Sequence, residues 1–265
     1  LDVLAATASF ILGHNLIAFD LPHLQATQPN LRLLQKPVVD TLRLNPLAFP
    51  KNPYHHLVKH YQDGQLLGAR RNNPLLDAEL ALQVFIDQVR NLERAHVEQP
   101  DLVLAWHWLT TRDQGVVGLN RFFMKIRGQP QPADTAARAA ISRLLHGQSC
   151  EQAGQQIVVQ AERLAWPLAY ALAWLSVAGN NSVMPPWVRF QFPEAGRLIR
   201  QLRDTPCGAP DCGWCRREHD AIQQLKHWFG AEYDFRPTPV DKESGLPLQQ
   251  VIVEQAMRGQ HNLGI

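Results

Sequence analysis

The stretch ILGHNLIAFDLPHL, residues 11–24, decides how the N-terminal part of the chain folds. An apolar run that starts at Phe10 ends at Gly13, which predicts a short buried strand followed by a turn. Asp20 then opens an amphipathic stretch, and a helix tolerates Pro22 in its first turn. We therefore predict a strand, a loop of mixed polarity and a helix that begins at Asp20.

The residues that follow continue this pattern. VVDT at 38–41 predicts a second strand, and Asn73-Pro74 predicts the start of a longer helix. The expected apolar face of that helix consists of Leu75, Leu76, Ala78, Leu80, Leu82, Phe85 and Val89. Short apolar runs that alternate with helices are typical of an α/β fold, which we predict for residues 1–98.

The rest of the chain divides into three further segments. Residues 99–203 are rich in Ala and Leu with helical periodicity, and they predict an α-helical region without a chemical signature. Residues 204–227 are a Cys-rich segment, and residues 228–265 combine a Pro-rich loop with a final amphipathic stretch.

Composition excludes some classes of protein. The net charge of +2 does not indicate a general nucleic-acid binder, so any such contact must be local. No apolar run approaches the roughly 18 residues of a membrane span, so we expect no membrane partner. Three of the four cysteines lie within nine residues, which favours metal ligation in a reducing compartment over disulfides.

Two aspartates at predicted helix starts, Asp20 and Asp77, carry the first candidate site, together with His14, Asn15 and Phe19. This arrangement resembles the second and third motifs of the DnaQ-like (DEDD) 3′–5′ exonucleases. The resemblance implies a ribonuclease H-like fold in which Asp20 and Asp77 bind Mg²⁺ or Mn²⁺ and His14, Asn15 and Phe19 contact nucleic acid. Two such ions stabilise the attacking and leaving oxygens of a phosphodiester. The alternative is that both acids only occupy helix N-termini, where negative charge is favoured.

One position departs from that family. Asn72 stands where the resemblance places the catalytic base, a histidine, and asparagine cannot accept a proton at neutral pH. His55, His56 or His60 could serve instead, or the metal alone could activate water. A third alternative is a non-catalytic nucleic-acid-binding scaffold with a degenerate exonuclease fold.

The Cys-rich segment contains the second candidate site, Cys207-x4-Cys212-x2-Cys215. This tight spacing is typical of a knuckle around a metal, which needs a fourth ligand. Cys150, the only other cysteine, is the favoured candidate, and His219 is the local rival. Cys150 would favour an iron–sulfur cluster and His219 would favour Zn²⁺.

The C-terminal segment contains Phe229-Gly230, Phe235-Arg236-Pro237 and Gln249. These residues resemble the entry to the motor domain of RecQ-family ATP-dependent DNA helicases. The resemblance implies ATP as a cofactor and nucleotide contacts from Phe229, Arg236 and Gln249. An insertion before Gln249 departs from the family.

The two resemblances together imply a helicase–exonuclease of DNA repair or recombination, cytoplasmic and nucleoid-associated. Its expected partner is DNA, either single-stranded or a 3′-ended duplex. The first exonuclease motif would precede Leu1 and the phosphate loop would follow Ile265, so we expect the sequence to be part of a longer protein.

Overall fold

The structure is a computed structural model that describes residues 1–52, 55, 57, 73–112, 117–177, 183–207, 209, 211–219 and 235–258. The chain divides into two compact units. The first unit comprises Leu1–Leu144 and Val158–Leu198, and the second comprises Leu145–Ile157 and Ile199–Ile265.

Helices account for most of the described elements. The N-terminal elements are α1 (Asp2–Ala5), β1 (Ile11–Gly13), a π-helix (Leu16–Asp20), α2 (Leu21–Thr27), a 3-10 helix (Arg32–Gln35), β2 (Val38–Asp40) and α3 (Thr41–Ala48). The later helices are α4 (Pro74–Glu98), α5 (Pro100–Thr110), α6 (Val117–Arg127), α7 (Asp134–Leu145), α8 (Glu151–Leu175), α9 (Pro186–Gln191), α10 (Pro193–Arg203), α11 (Gly213–Glu218) and α12 (Leu248–Arg258). None of the described helices is both long enough and apolar enough to cross a membrane.

The sheet of the first unit has two parallel strands, with Ile11 of β1 paired to Val38 of β2. The predicted ribonuclease H-like α/β sheet is therefore wrong, since no third strand joins this pair within the described residues. The backbone N–H of Ile11 donates to the carbonyl of Pro37, the residue before Val38. In a parallel pair, the N–H and C=O of Val38 itself then point away from β1, toward the outer edge of β2. Gly118 of α6 lies against that outer edge, where a Cβ on Gly118 would be 2.8 Å from the Val38 oxygen. A helix thus occupies the place at which a third strand would pair.

Helix α4 begins where Asn73-Pro74 predicts a start. Asn73 is the N-cap, and its Oδ1 accepts hydrogen bonds from the N–H groups of Leu75 and Leu76 at 3.1 and 3.3 Å. Pro74 follows at the first helical position, where its missing N–H costs nothing.

The buried face of α4 differs from the predicted one. The residues of α4 that are buried are Ala81, Val84, Gln88 and Leu92. Leu75 and Leu82 are 69% and 52% exposed. Gln88 is fully buried, and its Nε2 donates to the Thr41 carbonyl at 2.7 Å and to Asn45 Oδ1 at 2.6 Å. Helix α4 therefore packs on α3 through a polar contact at Gln88. A pattern of apolar residues does not reveal such a contact.

A buried hydrogen-bond network joins α5 to α6. His107 Nδ1 lies 2.8 Å from Arg127 Nη1, and its Nε2 lies 2.8 Å from Asn120 Oδ1. An arginine only donates, so Nδ1 accepts and Nε2 carries the proton of a neutral ring. Burial lowers the pKa of His107 to about 4, which agrees with that assignment.

Helix α8 is kinked at Ala165, whose φ of 42° and ψ of −119° are not helical. Pro167 follows two residues later and has no N–H for the helical ladder. A positive φ brings the Cβ of an L-residue into steric conflict with the backbone, so Ala165 is strained.

Candidate metal centre and neighbouring candidate sites

Four free cysteines meet in the second unit. Cys150 directly precedes α8, Cys207 follows α10, and Cys212 and Cys215 lie at the N-cap and inside the first turn of α11. Their Sγ atoms all lie within 4.8 Å of one another. The structure thus brings together the three cysteines of the predicted knuckle and the predicted fourth ligand, Cys150. Such a cluster could bind zinc or an iron–sulfur cluster.

The four sulfurs form two closer pairs. Cys150 Sγ lies 3.7 Å from Cys212 Sγ, and Cys215 Sγ lies 3.5 Å from Cys207 Sγ. The backbone N–H of Cys207 also donates to Cys215 Sγ at 3.3 Å. Cys150 and Cys215 are 1% and 7% exposed, whereas Cys207 and Cys212 are half-buried. Solvent therefore reaches one sulfur of each pair more readily than the other.

The local environment separates the acidities of these thiols. Burial raises the pKa of Cys215 to about 12 and also raises the pKa of Cys150. A hydrogen bond from the backbone N–H of Cys215 lowers the pKa of Cys212 to about 7. Four neighbouring thiolates repel one another, so a bound cation is what would allow all of them to ionise together.

Two arginines pack against the ring of Trp214. The guanidinium carbons of Arg203 and Arg217 lie 5.7 and 5.1 Å from the ring centroid of Trp214, which sits between Cys212 and Cys215 in sequence. Arg203 Nη1 also donates to the Gln148 carbonyl at 3.3 Å. Both cations therefore lie beside an aromatic ring that packs among the cysteines.

His219, the rival ligand, lies outside the group of four sulfurs. Its backbone N–H donates to the Cys215 carbonyl at 2.9 Å, and burial lowers the pKa of its ring. Within the described residues its buried Nε2 has no hydrogen-bond partner. Of the two candidate fourth ligands, Cys150 is therefore the one whose ligand atom lies within the group.

The loop between β1 and the π-helix carries the other candidate residues and is held by Asp40. Asp40 is 3% exposed, and its carboxylate accepts hydrogen bonds from the N–H groups of Asn15, Ile17 and Leu42 at 2.9, 3.0 and 3.0 Å. Burial raises the pKa of Asp40, against the opposing effect of these hydrogen bonds. Asn15 has a left-handed backbone with φ of 62°, so Asp40 stabilises an unusual conformation.

His14 is fixed to the same loop. The Thr41 hydroxyl donates to the Gly13 carbonyl at 3.1 Å and therefore accepts from His14 Nδ1 at 2.9 Å. Sequence reasoning did not single out Asp40 or Thr41. The available signal was an Asp-Thr pair directly after the apolar residues of a short strand.

The two predicted carboxylate ligands are both exposed. Asp20 is the N-cap residue of α2 but makes no side-chain capping hydrogen bond, and Asp77 lies in the first turn of α4. Neither belongs to a group of three or more potential ligands in the part of the chain that the structure describes. Phe19 is 56% exposed and packs on His23 with ring centroids 4.6 Å apart.

Of the possible catalytic bases, only His55 falls within the described residues. It is 3% exposed, its Nδ1 accepts from Trp187 Nε1 at 3.1 Å, and its Nε2 donates to the Asn52 carbonyl at 2.9 Å. Both ring nitrogens are thus engaged. Asn72, His56 and His60 lie outside the described residues.

The C-terminal candidate residues are partly described. The backbone N–H of Arg236 donates to Gln249 Oε1 at 3.3 Å, which joins the loop to the first turn of α12. Phe235 next to it is buried. Phe229 lies outside the described residues.

No protein-family model, no curated protein and no solved structure matches this chain.

Proposed function

We propose that the second unit binds one zinc ion through the thiolates of Cys150, Cys207, Cys212 and Cys215. The observation that carries this proposal is the convergence of all four Sγ atoms within 4.8 Å. Four protein ligands complete the tetrahedral shell that zinc prefers and leave no open position for substrate. The ion would therefore have a structural role.

The sulfur spacing supports zinc over an iron–sulfur cluster. Zinc–sulfur bonds of about 2.3 Å in a tetrahedron place neighbouring sulfurs about 3.8 Å apart. The close pairs at 3.7 and 3.5 Å fit that geometry. In an iron–sulfur cluster the thiolates are divided between different irons with bridging sulfides between them, so thiolates on different irons stand farther apart than the 4.8 Å that encloses all four sulfurs here. The spacing thus favours zinc. The sequence alone indicates the opposite, because Cys150 as the fourth ligand favours an iron–sulfur cluster.

A zinc ion here would connect separate segments of the second unit. Cys150 directly precedes α8, Cys207 follows α10, and the other two cysteines lie at the N-cap and in the first turn of α11. The apolar cluster beside the site is small, with Ala153 and Trp214 packed among the cysteines. Metal binding contributes directly to folding free energy in such units, so the ion would supply much of the stability that a larger core would give.

Metal analysis of the purified chain tests this proposal. We expect one zinc per chain and no absorbance band near 400 nm after anaerobic purification. Replacement of zinc by Co²⁺ should give the intense visible bands of tetrahedral thiolate coordination. Iron with acid-labile sulfide in place of zinc, or protein that carries no metal and melts unchanged in a chelator, would refute it.

Two variants form a matched pair for the fourth ligand. Cys150→Ser should lower the zinc content and the melting temperature of the second unit, because a hydroxyl is a much poorer zinc ligand than a thiolate. His219→Ala should leave the zinc content unchanged, since the ring lies outside the sulfur group. Loss of metal in the histidine variant alone would assign the fourth position to His219.

A second candidate function is metal-dependent hydrolysis of DNA at Asp20 and Asp77. The favouring observation is that Asp40 fixes the loop that leads to Asp20, while Asp20 and Asp77 stay exposed and Asp20 makes no capping hydrogen bond. Exposed carboxylates that do not cap their helices are available for Mg²⁺ or Mn²⁺. Among the residues that the structure describes, no third strand lies next to β2, so this proposal rests on the loop and not on the fold.

Exonuclease assays of the complete natural protein on a 3′-ended strand test the second candidate. Asp20→Ala and Asp77→Ala should each abolish Mg²⁺-dependent digestion. Asp87→Ala, an acid on α4 that pairs with Arg90, is the control and should retain activity. Normal digestion by both test variants would exclude a nuclease site at these residues.

We also propose that the C-terminal loop and α12 serve an ATP-dependent DNA motor. The supporting observation is the hydrogen bond from Arg236 N–H to Gln249 Oε1, which engages the amide oxygen and not the NH₂ group that could donate to a base. Gln249→Ala should raise the ATP concentration needed for half-maximal ATPase activity of the complete protein. An unchanged value would exclude a nucleotide contact at Gln249.

A further inference from the structure

We propose that the four cysteines are also a peroxide-sensitive modification site. Oxidation would expel the zinc and join Cys150 to Cys212 and Cys207 to Cys215. The metal-release part of this inference rests on the proposed zinc function, whereas the pairing of the cysteines depends on the positions of the thiols alone.

The pairing follows from distance. Cys150 and Cys212 have their sulfurs 3.7 Å apart, and Cys207 and Cys215 have theirs 3.5 Å apart. These contacts join different segments of the second unit, so the pairing does not follow the order of the cysteines along the chain. Neighbours in sequence would instead give Cys212–Cys215 or Cys207–Cys212.

The order of events follows from exposure. Each pair combines one half-buried sulfur, Cys212 or Cys207, with one almost fully buried sulfur, Cys150 or Cys215. Hydrogen peroxide in solvent reaches the more exposed member first. The buried member is shielded from peroxide but lies next to the sulfur that has been oxidised, which is the arrangement of a resolving cysteine.

The chemistry balances with hydrogen peroxide as the oxidant. The thiolate of the exposed cysteine attacks one peroxide oxygen, so an S–O bond forms, the O–O bond breaks and hydroxide leaves. The thiolate of the buried partner then attacks that sulfur, so an S–S bond forms, the S–O bond breaks and a second hydroxide leaves. Each disulfide consumes one peroxide and two electrons from the thiolates. Zinc loses its four thiolate ligands and leaves as Zn²⁺.

The oxidised unit would keep its connections. The Cys150–Cys212 disulfide joins the start of α8 to the start of α11, and the Cys207–Cys215 disulfide closes the knuckle. Zinc would hold the same segments in the reduced state. Oxidation therefore exchanges a metal cross-link for two covalent ones, and a dithiol reductant with added zinc should reverse it.

Titration of the zinc-loaded full chain with hydrogen peroxide is the test. Released zinc is followed with 4-(2-pyridylazo)resorcinol, and disulfides are mapped by mass spectrometry under non-reducing conditions. Cleavage before Asp211 and after Trp214 places Cys207, Cys212 and Cys215 on three different peptides. We expect one zinc released for about two peroxides, together with peptides linked through Cys150–Cys212 and Cys207–Cys215.

Cys212→Ser provides a second measurement, because peroxide should then link Cys207 to Cys215 and leave Cys150 as a free thiol. The wild-type map decides the matter if this variant does not fold. Linkage of Cys212 to Cys215, sulfinic acids without disulfides, or full retention of zinc in excess peroxide would each overturn the inference. A chain that binds no zinc yet forms the two expected disulfides would refute the proposed zinc function and leave the pairing standing.

Discussion

Replacement of Gly118 by alanine should destabilise the first unit, although alanine is the better helix former. The new Cβ would lie 2.8, 3.1 and 3.2 Å from the O, C and N atoms of Val38. Carbon atoms in good contact stand about 3.5–4.0 Å apart, so α6 and β2 would have to separate. Overpacking of this kind costs about 1–3 kcal/mol. Alanine at a helical position returns at most about 1 kcal/mol, so the net loss that remains after the full return is about 0–2 kcal/mol.

Gly196 of α10 is the matched control, because a Cβ built there would meet no described atom within 4 Å apart from its chain neighbours and its own helix backbone. Gly196→Ala should raise the unfolding free energy by up to about 1 kcal/mol. Urea unfolding monitored by circular dichroism measures both variants. Since β2 ends at Asp40, Gly118→Ala should also speed hydrogen exchange at the amides of Asn15 and Ile17. A Gly118→Ala protein as stable as Gly196→Ala would refute the contact between α6 and the strand edge.

Three further predictions concern the first unit. Burial lowers the pKa of His107 to about 4, so its contribution to the unfolding free energy is complete above pH 6.5 and is lost as the pH falls through about 4. An NMR titration of the ring should find the lower midpoint, and a midpoint near 6.5 would contradict its burial as a neutral group. Ala165→Gly should raise the unfolding free energy by about 1 kcal/mol by relieving the positive φ. The control variant Ala139→Gly, at an exposed position of α7, should lower the unfolding free energy by about 1 kcal/mol. If thermal melts show similar losses of stability for Ala165→Gly and Ala139→Gly, the kink at Ala165 is contradicted. Asn73→Ala should lower the unfolding free energy by about 1 kcal/mol, because α4 loses its N-cap. Asn73→Asp keeps a capping oxygen and should keep the wild-type urea midpoint. Equal urea midpoints for the two variants would mean that the cap contributes nothing to stability.

The parts of the fold that local chemistry determines could be predicted from sequence. Asn73-Pro74 marks the start of α4 because an amide cap and a missing N–H act within one turn. The three clustered cysteines indicate a metal site because thiolates need a cation when they gather. Cys150 was identified only as the remaining cysteine, and its place beside Cys212 depends on how the second unit packs.

The parts that depend on the packing partner could not be predicted. Apolar periodicity suggested that Leu75 and Leu82 belong to the buried face of α4, but burial follows the neighbouring elements, and α3 offers polar groups to Gln88. A strand signal at residues 38–40 likewise does not say what will lie along its outer edge. Here that neighbour is a helix with Gly118 at the contact, and the sheet has two strands in the described part of the chain.

The dispersal of the four thiols along the chain has a consequence for synthesis in the cell. Cys150 emerges from the ribosome long before Cys215, because 65 positions separate them. At translation rates of about 5–20 residues per second, this interval lasts on the order of several seconds. During that time Cys150 is a single thiol without its neighbours, so the proposed zinc loading would have to wait for the knuckle. The nascent chain would therefore be most vulnerable to wrong disulfides with other proteins in this interval.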